Sequence, residues 1–247
     1  MQPEDSGWEA KEETGTKTEA EPRILHRAAY YAKHLKEKDI YSFSQGPYAW
    51  ENGYEWSGAW CQEVLAGQLF SVFGCGLCAM ANIYSSLTGC ECSPTDMFFY
   101  AQEVSGYTPV SGFGAIDWPY IQQTLKTTGI RSSLKPPAES YEAFRTDISR
   151  TIAAVVLINS VRDSSYWQTN GHYVKIWLYD SEDDTVFLTD SGNPAHNRQR
   201  IPLAYVYNAL DPYTACQYLL ITAVDEKGNT WKHDGIDADW IAPSDKR

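Results

Sequence analysis

The longest unbroken apolar run in the chain covers residues 152–158, from Ile152 to Ile158. It is too short for the ~20 residues that cross a bilayer and suits a buried strand. Three more stretches read as strands: 171–179 (GHYVKIWLY), 185–190 (TVFLTD) and 217–224 (QYLLITAV). Upstream the period is helical instead. Residues 23–38 carry apolar positions at 24/25, 28, 31/32 and 35, as an amphipathic helix does. Glycines at 74 and 76 open a segment in which Met80, Ile83, Tyr84 and Leu87 recur at helical spacing, and Gly89 stops it. Ser93 and Pro94 form an N-cap and first helical position for a helix running to 104. Further helices are predicted over 118–128, ended by Gly129, and over 141–150 behind Ser140, with a short one at 203–210. Residues 41–60 (YSFSQGPYAWENGYEWSGAW) have no sustained period and predict a long ordered loop, followed by a short helix near 62–65. Helices thus fill roughly the first 150 residues and strands the rest. That order predicts an α+β protein with a helical lobe over 23–150 and a sheet lobe over 151–247. The cleft between two such lobes is the natural place for a site.

Composition narrows the class. The 247 residues are 43% hydrophobic and include 9 Trp, 17 Tyr and 8 Phe, enough for a sizeable core. A net charge of −12 repels phosphate backbones and anionic lipid, which argues against nucleic-acid and polybasic membrane partners. Residues 1–22 hold seven acids and two lysines without periodicity and read as a disordered acidic leader. They contain no basic stretch followed by an apolar one, so no signal peptide is visible. Their composition fits the tether of an extracellular or cell-surface protein, with a cytoplasmic tail as the alternative. The six cysteines, Cys61, Cys75, Cys78, Cys90, Cys92 and Cys216, are too sparse for a disulfide framework.

The chemistry centres on Cys75. A helix start offers free backbone N–H groups and the positive end of the macrodipole, and both favour the nucleophilic thiolate. His172 sits at the outer end of a strand whose Val174, Ile176 and Leu178 share its face by period two. The acidic turn 181–184 folds that strand back on 185–190. A hairpin about Ser181 or Glu182 brings Asp190 within a residue or two of facing His172. Cysteine, histidine and carboxylate then stand as nucleophile, base and orienting group. The Cys75 N–H is one donor for the oxyanion of a tetrahedral intermediate, and the amide of Gln45, in the aromatic loop, is a candidate for another.

Four segments together, SQGPYAW, FGCGLCAMANIYSSLTG, GHYVKIWLYD and TVFLTDSG, resemble the bacteriocin-leader-processing peptidases and their stand-alone relatives, which belong to the papain-like cysteine peptidases. The likeness spans about residues 40–194. It implies a papain-like fold, Cys75 as nucleophile, His172 as base, Asp190 as its orienting partner and Gln45 in the oxyanion hole. It implies a peptide or protein substrate, or an isopeptide, and no cofactor. The pattern departs in two places: Gly76-Leu77 and Asp190-Ser191 stand where the family often has Gly-Pro and Asp-Pro. Neither change removes a reacting group.

Three other readings compete. CGLC at a helix start also suits a thiol–disulfide oxidoreductase, although no apolar strand immediately precedes it. Cys75, Cys78, Cys90 and Cys92 have the spacing C-x2-C-x11-C-x-C, whose second half is unusual for structural zinc. A papain-like domain with an idle triad is a binding module, with Trp50, Trp56, Trp60 and Trp167 as its surface, though core positions suit most of these better. His26, His34, His196 and His233 are expected at the surface or in packing.

Overall fold

An antiparallel sheet with helices on both faces organises the protein. The computed structural model describes residues 26–110 and 115–246. The acidic segment 1–22 read as a leader lies outside the described residues. In chain order the elements begin with β1 (His26–Arg27), α1 (Ala28–His34), α2 (Pro47–Glu51), β2 (Val64–Leu65) and β3 (Gln68–Leu69). The helices α3 (Phe70–Phe73), α4 (Cys75–Leu87), α5 (Pro94–Ser105) and α6 (Trp118–Thr127) follow, then β4 (Thr128–Lys135) and α7 (Tyr141–Ile148). The chain continues through β5 (Ala153–Ile158), β6 (His172–Asp180), β7 (Thr185–Thr189), β8 (Gln199–Pro202), α8 (Leu203–Asn208) and β9 (Tyr218–Asn229). The main sheet runs β4-β9-β5-β6-β7-β8, with β1 pairing β9 beyond the end of β5. β2 and β3 form a separate two-stranded hairpin.

Strand alternation sorts side chains onto two cores. Val155, Tyr173, Trp177, Phe187 and Leu219 pack with α4, α5 and α6. Ala154, Val156, Val174, Ile176 and Leu188 face the other way, against α7 and α8. Burial of both faces explains the continuous apolar run in β5. α4 is buried at every position except Ser86 and packs on α5, α6 and β6. A helix buried nearly all round belongs at the centre of a fold. α5 starts as its sequence predicts: Ser93 Oγ accepts from Asp96 N at 3.0 Å, Asp96 Oδ2 accepts from Ser93 N at 2.6 Å, and Pro94 occupies the first helical position.

Several expectations are corrected. The helix expected over 23–38 is confined, among the described residues, to Ala28–His34, with a 3-10 turn at Glu37–Asp39. Residues 62–65 do not form a helix; a 3-10 turn at Ala59–Gln62 leads into β2. β4 lies within the stretch assigned to helices and is an edge strand of the sheet, and α7 packs on the far face. The division at residue 150 into a helical and a sheet lobe therefore does not follow the chain. Leu178 does not share the face of His172. It adopts φ +47°, the register shifts between Trp177 and Asp180, and its side chain packs with the α4 core.

The two ends of the aromatic loop 41–60 are core, while residues 51–55 are exposed. Trp56 and Trp60 are buried, and Trp240 from the C-terminal segment packs on Phe43 and Trp56. That segment is pinned by Ala59 N to Asp239 O and by Ile241 N to Ser57 O, both 2.8 Å. Trp60 Nε1 donates to Ser44 O at 2.7 Å, which fixes the residue before Gln45.

Candidate active site

Cys75 is the first residue of α4, directly after Gly74, so the N–H groups of its first turn have no partner inside the helix. Gly76 lets that turn lie against β6. A Cβ there would stand 2.4 Å from Ile116 Cγ2 and 3.2 Å from the Tyr173 ring, so any side chain would push α4 off the strand that carries His172.

The β6–β7 hairpin delivers the other two groups. Lys175 faces Thr189, a register centred on Glu182, which puts Asp190 opposite Val174 and diagonal to His172. His172 Nε2 and Asp190 Oδ1 are 2.8 Å apart. Asp190 Oδ1 also accepts from Gly192 N at 2.8 Å and Asn193 N at 3.3 Å. Gly192 lies over the imidazole: a Cβ there would be 3.0 Å from His172 Cε1. With Nε2 committed to Asp190, Nδ1 is the nitrogen left free, and His172 and Cys75 each shift the other's protonation.

The electrostatics favour an ion pair. Burial opposes ionisation of Cys75, but the hydrogen bond and charge of His172 outweigh it, with help from the Tyr173 backbone and Lys175. The thiol is left below its ordinary value of 9.0. Burial likewise opposes the imidazolium, but Asp190 and Cys75 overcome it and push His172 up to about 10. Asp190 is held below the usual carboxylate range: burial raises it, while His172, His196 and the Gly192 N–H lower it by more. A thiolate–imidazolium pair backed by a carboxylate is equipped for nucleophilic attack and for proton transfer.

Gln45 is bonded to the flanks of this group. Its Nε2 donates to Ser71 O at 2.9 Å, four residues before Cys75, and its Oε1 accepts from Ser191 Oγ at 2.8 Å, one residue after Asp190. Its backbone N donates to Ser191 O at 2.8 Å. One of the two Nε2 hydrogens is thereby committed to Ser71. The same loop is stitched to the strand-end segment through Asn197 Nδ2 to Ser42 O at 2.8 Å and Arg198 Nη1 to Ile40 O at 2.6 Å.

Two residues near the site have no functional role assigned from sequence. His196, expected at the surface or in packing, stacks its ring on Tyr166 at 4.2 Å and also brings Nδ1 to 3.7 Å from Asp190 Oδ2. Its sequence signal is only its place in the turn after Asp190. Lys175 is fully buried in β6. A cleft of about 600 Å³ opens beside the pair, lined by Tyr166, Trp167, His172, Asp190, Asn193 and His196.

The competing cysteine sites do not assemble. Among the described residues, Cys75, Cys78, Cys90 and Cys92 are not gathered as metal ligands; the group that does gather is Asp96, His233 and Asp237, whose ligand atoms lie within 4.8 Å of one another. Burial pushes the Cys78 thiol well up, and Cys75 and Cys78 are both free thiols.

Fold and site together define a mixed helix and antiparallel-sheet protein with a buried cysteine–histidine–aspartate cluster. No family model matches the chain, and no curated protein matches it. Among solved structures it is similar to the peptidase domain of Streptococcus ComA, a bifunctional ABC transporter involved in a quorum-sensing pathway. That similarity has 15% sequence identity and a TM-score of 0.41, and covers 61% of this chain and 93% of the ComA domain.

Proposed function

We propose that the protein is a papain-like cysteine peptidase, related to the leader-processing peptidases that its motifs resemble, which hydrolyses a peptide or isopeptide amide. The observation that carries this reading is the cluster of Cys75, His172 and Asp190, in which His172 Nε2 lies 2.8 Å from Asp190 Oδ1 and the imidazole and thiol shift each other's protonation, the thiol down and the imidazole up. The Cys75 thiolate attacks the amide carbon, and the carbonyl oxygen takes the negative charge. The Cys75 N–H and the remaining Gln45 Nε2 hydrogen are the donors assigned to that oxyanion. Imidazolium Nδ1 gives its proton to the leaving nitrogen as the C–N bond breaks, leaving a thioester. His172 then takes a proton from water, the hydroxide attacks the thioester, and the acid is released with the thiol restored. Asp190 holds the ring in the required orientation throughout. Incubating the purified protein with a peptide library tests the reading. Cleavage that disappears in Cys75→Ala is the expected result. No turnover, with Cys75 inert to thiol-directed electrophiles, would leave a binding module instead.

A further inference from the structure

Lys175 is an anomaly that the steps above do not use. Its side chain is fully buried, and Nζ has no hydrogen-bond partner among the described residues. A buried amine without an acceptor is costly, so its retention calls for a reason. The residue stands three positions after His172 on β6, on the face that Tyr173 and Trp177 turn toward α4. The first turn of α4 lies against Tyr173, as the close approach at Gly76 shows. The ionisable groups that act on Lys175 are Cys78 and Cys75 on α4 and Asp190 just after β7. Its cross-strand neighbours, Val155 on β5 and Thr189 on β7, do not ionise.

With Cys75 ionised and His172 protonated, the cluster holds two negative charges, on Cys75 and Asp190, and one positive. A net buried charge is unfavourable in a low-dielectric interior. We propose that Lys175 is a positioning residue for the nucleophile, its buried ammonium supplying the second positive charge that lets Cys75 ionise beside the Asp190 carboxylate. Cys78 is not the anion it serves, because burial keeps that thiol protonated. Burial draws Lys175 below its ordinary value, while Cys78, Asp190 and Cys75 pull the other way, and Lys175 in turn favours the Cys75 thiolate. This inference rests on Cys75 being the nucleophile.

The test is the pH dependence of Cys75 alkylation by iodoacetamide, resolved by mass spectrometry, in wild type and Lys175→Met. The expected result is an acid-limb midpoint about one pH unit higher in the variant, so that labelling on that limb slows about tenfold while the alkaline plateau stays put. A purely structural lysine would not move that midpoint, and an unmoved midpoint overturns the proposal while leaving Cys75 as nucleophile. Wild-type Cys75 labelled no faster than the other cysteines overturns both. Should Lys175→Met not fold, 15N NMR of the lysine side chains in the wild type decides. A protonated Lys175 across the range where Cys75 is ionised supports the proposal, and a neutral amine there contradicts it.

Discussion

Two histidine–aspartate pairs in this protein share their residue types and differ in everything that makes a site. His172 and Asp190 are 2.8 Å apart, with side chains 12% and 3% exposed, and the pair is backed by Gly192 and faces a cysteine. His233 and Asp237 are 3.6 Å apart, and the Asp237 side chain is 75% exposed. The His233 ring is fixed by Glu91 O at 2.9 Å and packs on Trp231, while nearby Asp96 is already the capping carboxylate of α5. The second pair anchors the C-terminal segment to the helices; the first perturbs its own protonation and that of a thiol. Burial and a reactive neighbour, more than the residue pair, separate the two roles.

The largest effect expected from this contrast follows His172→Ala. Amide hydrolysis should fall by roughly 10²–10⁴-fold, measured as kcat/KM on any peptide the wild type cleaves, and His233→Ala should leave it unchanged. Next in size is the pH profile. Cys75 is shifted down, so activity should rise on the acid side at a pH below the ordinary thiol value of 9.0. His172 is shifted up, so activity should persist past neutrality and fall only as the imidazolium loses its proton toward about 10. A midpoint for the acid limb near 9 would remove the ion pair from the account. Gly76→Ala should cost about 1–3 kcal/mol in denaturant unfolding through overpacking against Ile116, with activity lost by displacement of Cys75. The smallest effect belongs to Asp237→Asn, where stability should change by no more than about 1 kcal/mol and activity should hold. Loss of activity there would make the two pairs equivalent and break the comparison.

What was legible in the chain reflects how local each signal is. α4, α5 and the β6–β7 hairpin are set by turn residues, caps and alternation within a few positions, and hairpin arithmetic alone brings Asp190 near His172. β4 escaped because TGIRSSLK offers only Ile130 and Leu134 as apolar positions, and an edge strand half open to solvent needs no more. The slip of Leu178 was invisible because a bulge at φ +47° breaks the two-residue period. Lys175 reads as the polar position of an alternating strand, normally turned to water, but here both faces of the sheet are covered. His196 is informative only once the turn after β7 is folded over Asp190. Roles that depend on what covers a face, or on which loop returns, are tertiary and leave no trace at short range.

Selective activation of Cys75 by its neighbours is the centre of the proposed chemistry. The most direct measurement treats the native protein with a limiting amount of iodoacetamide near pH 6 and maps the labelled cysteines by mass spectrometry. Label is expected on Cys75 well ahead of Cys61, Cys78, Cys90, Cys92 and Cys216, with the preference gone in His172→Ala. Equal labelling of Cys75 and the other accessible cysteines, or a preference that survives loss of His172, would contradict that activation.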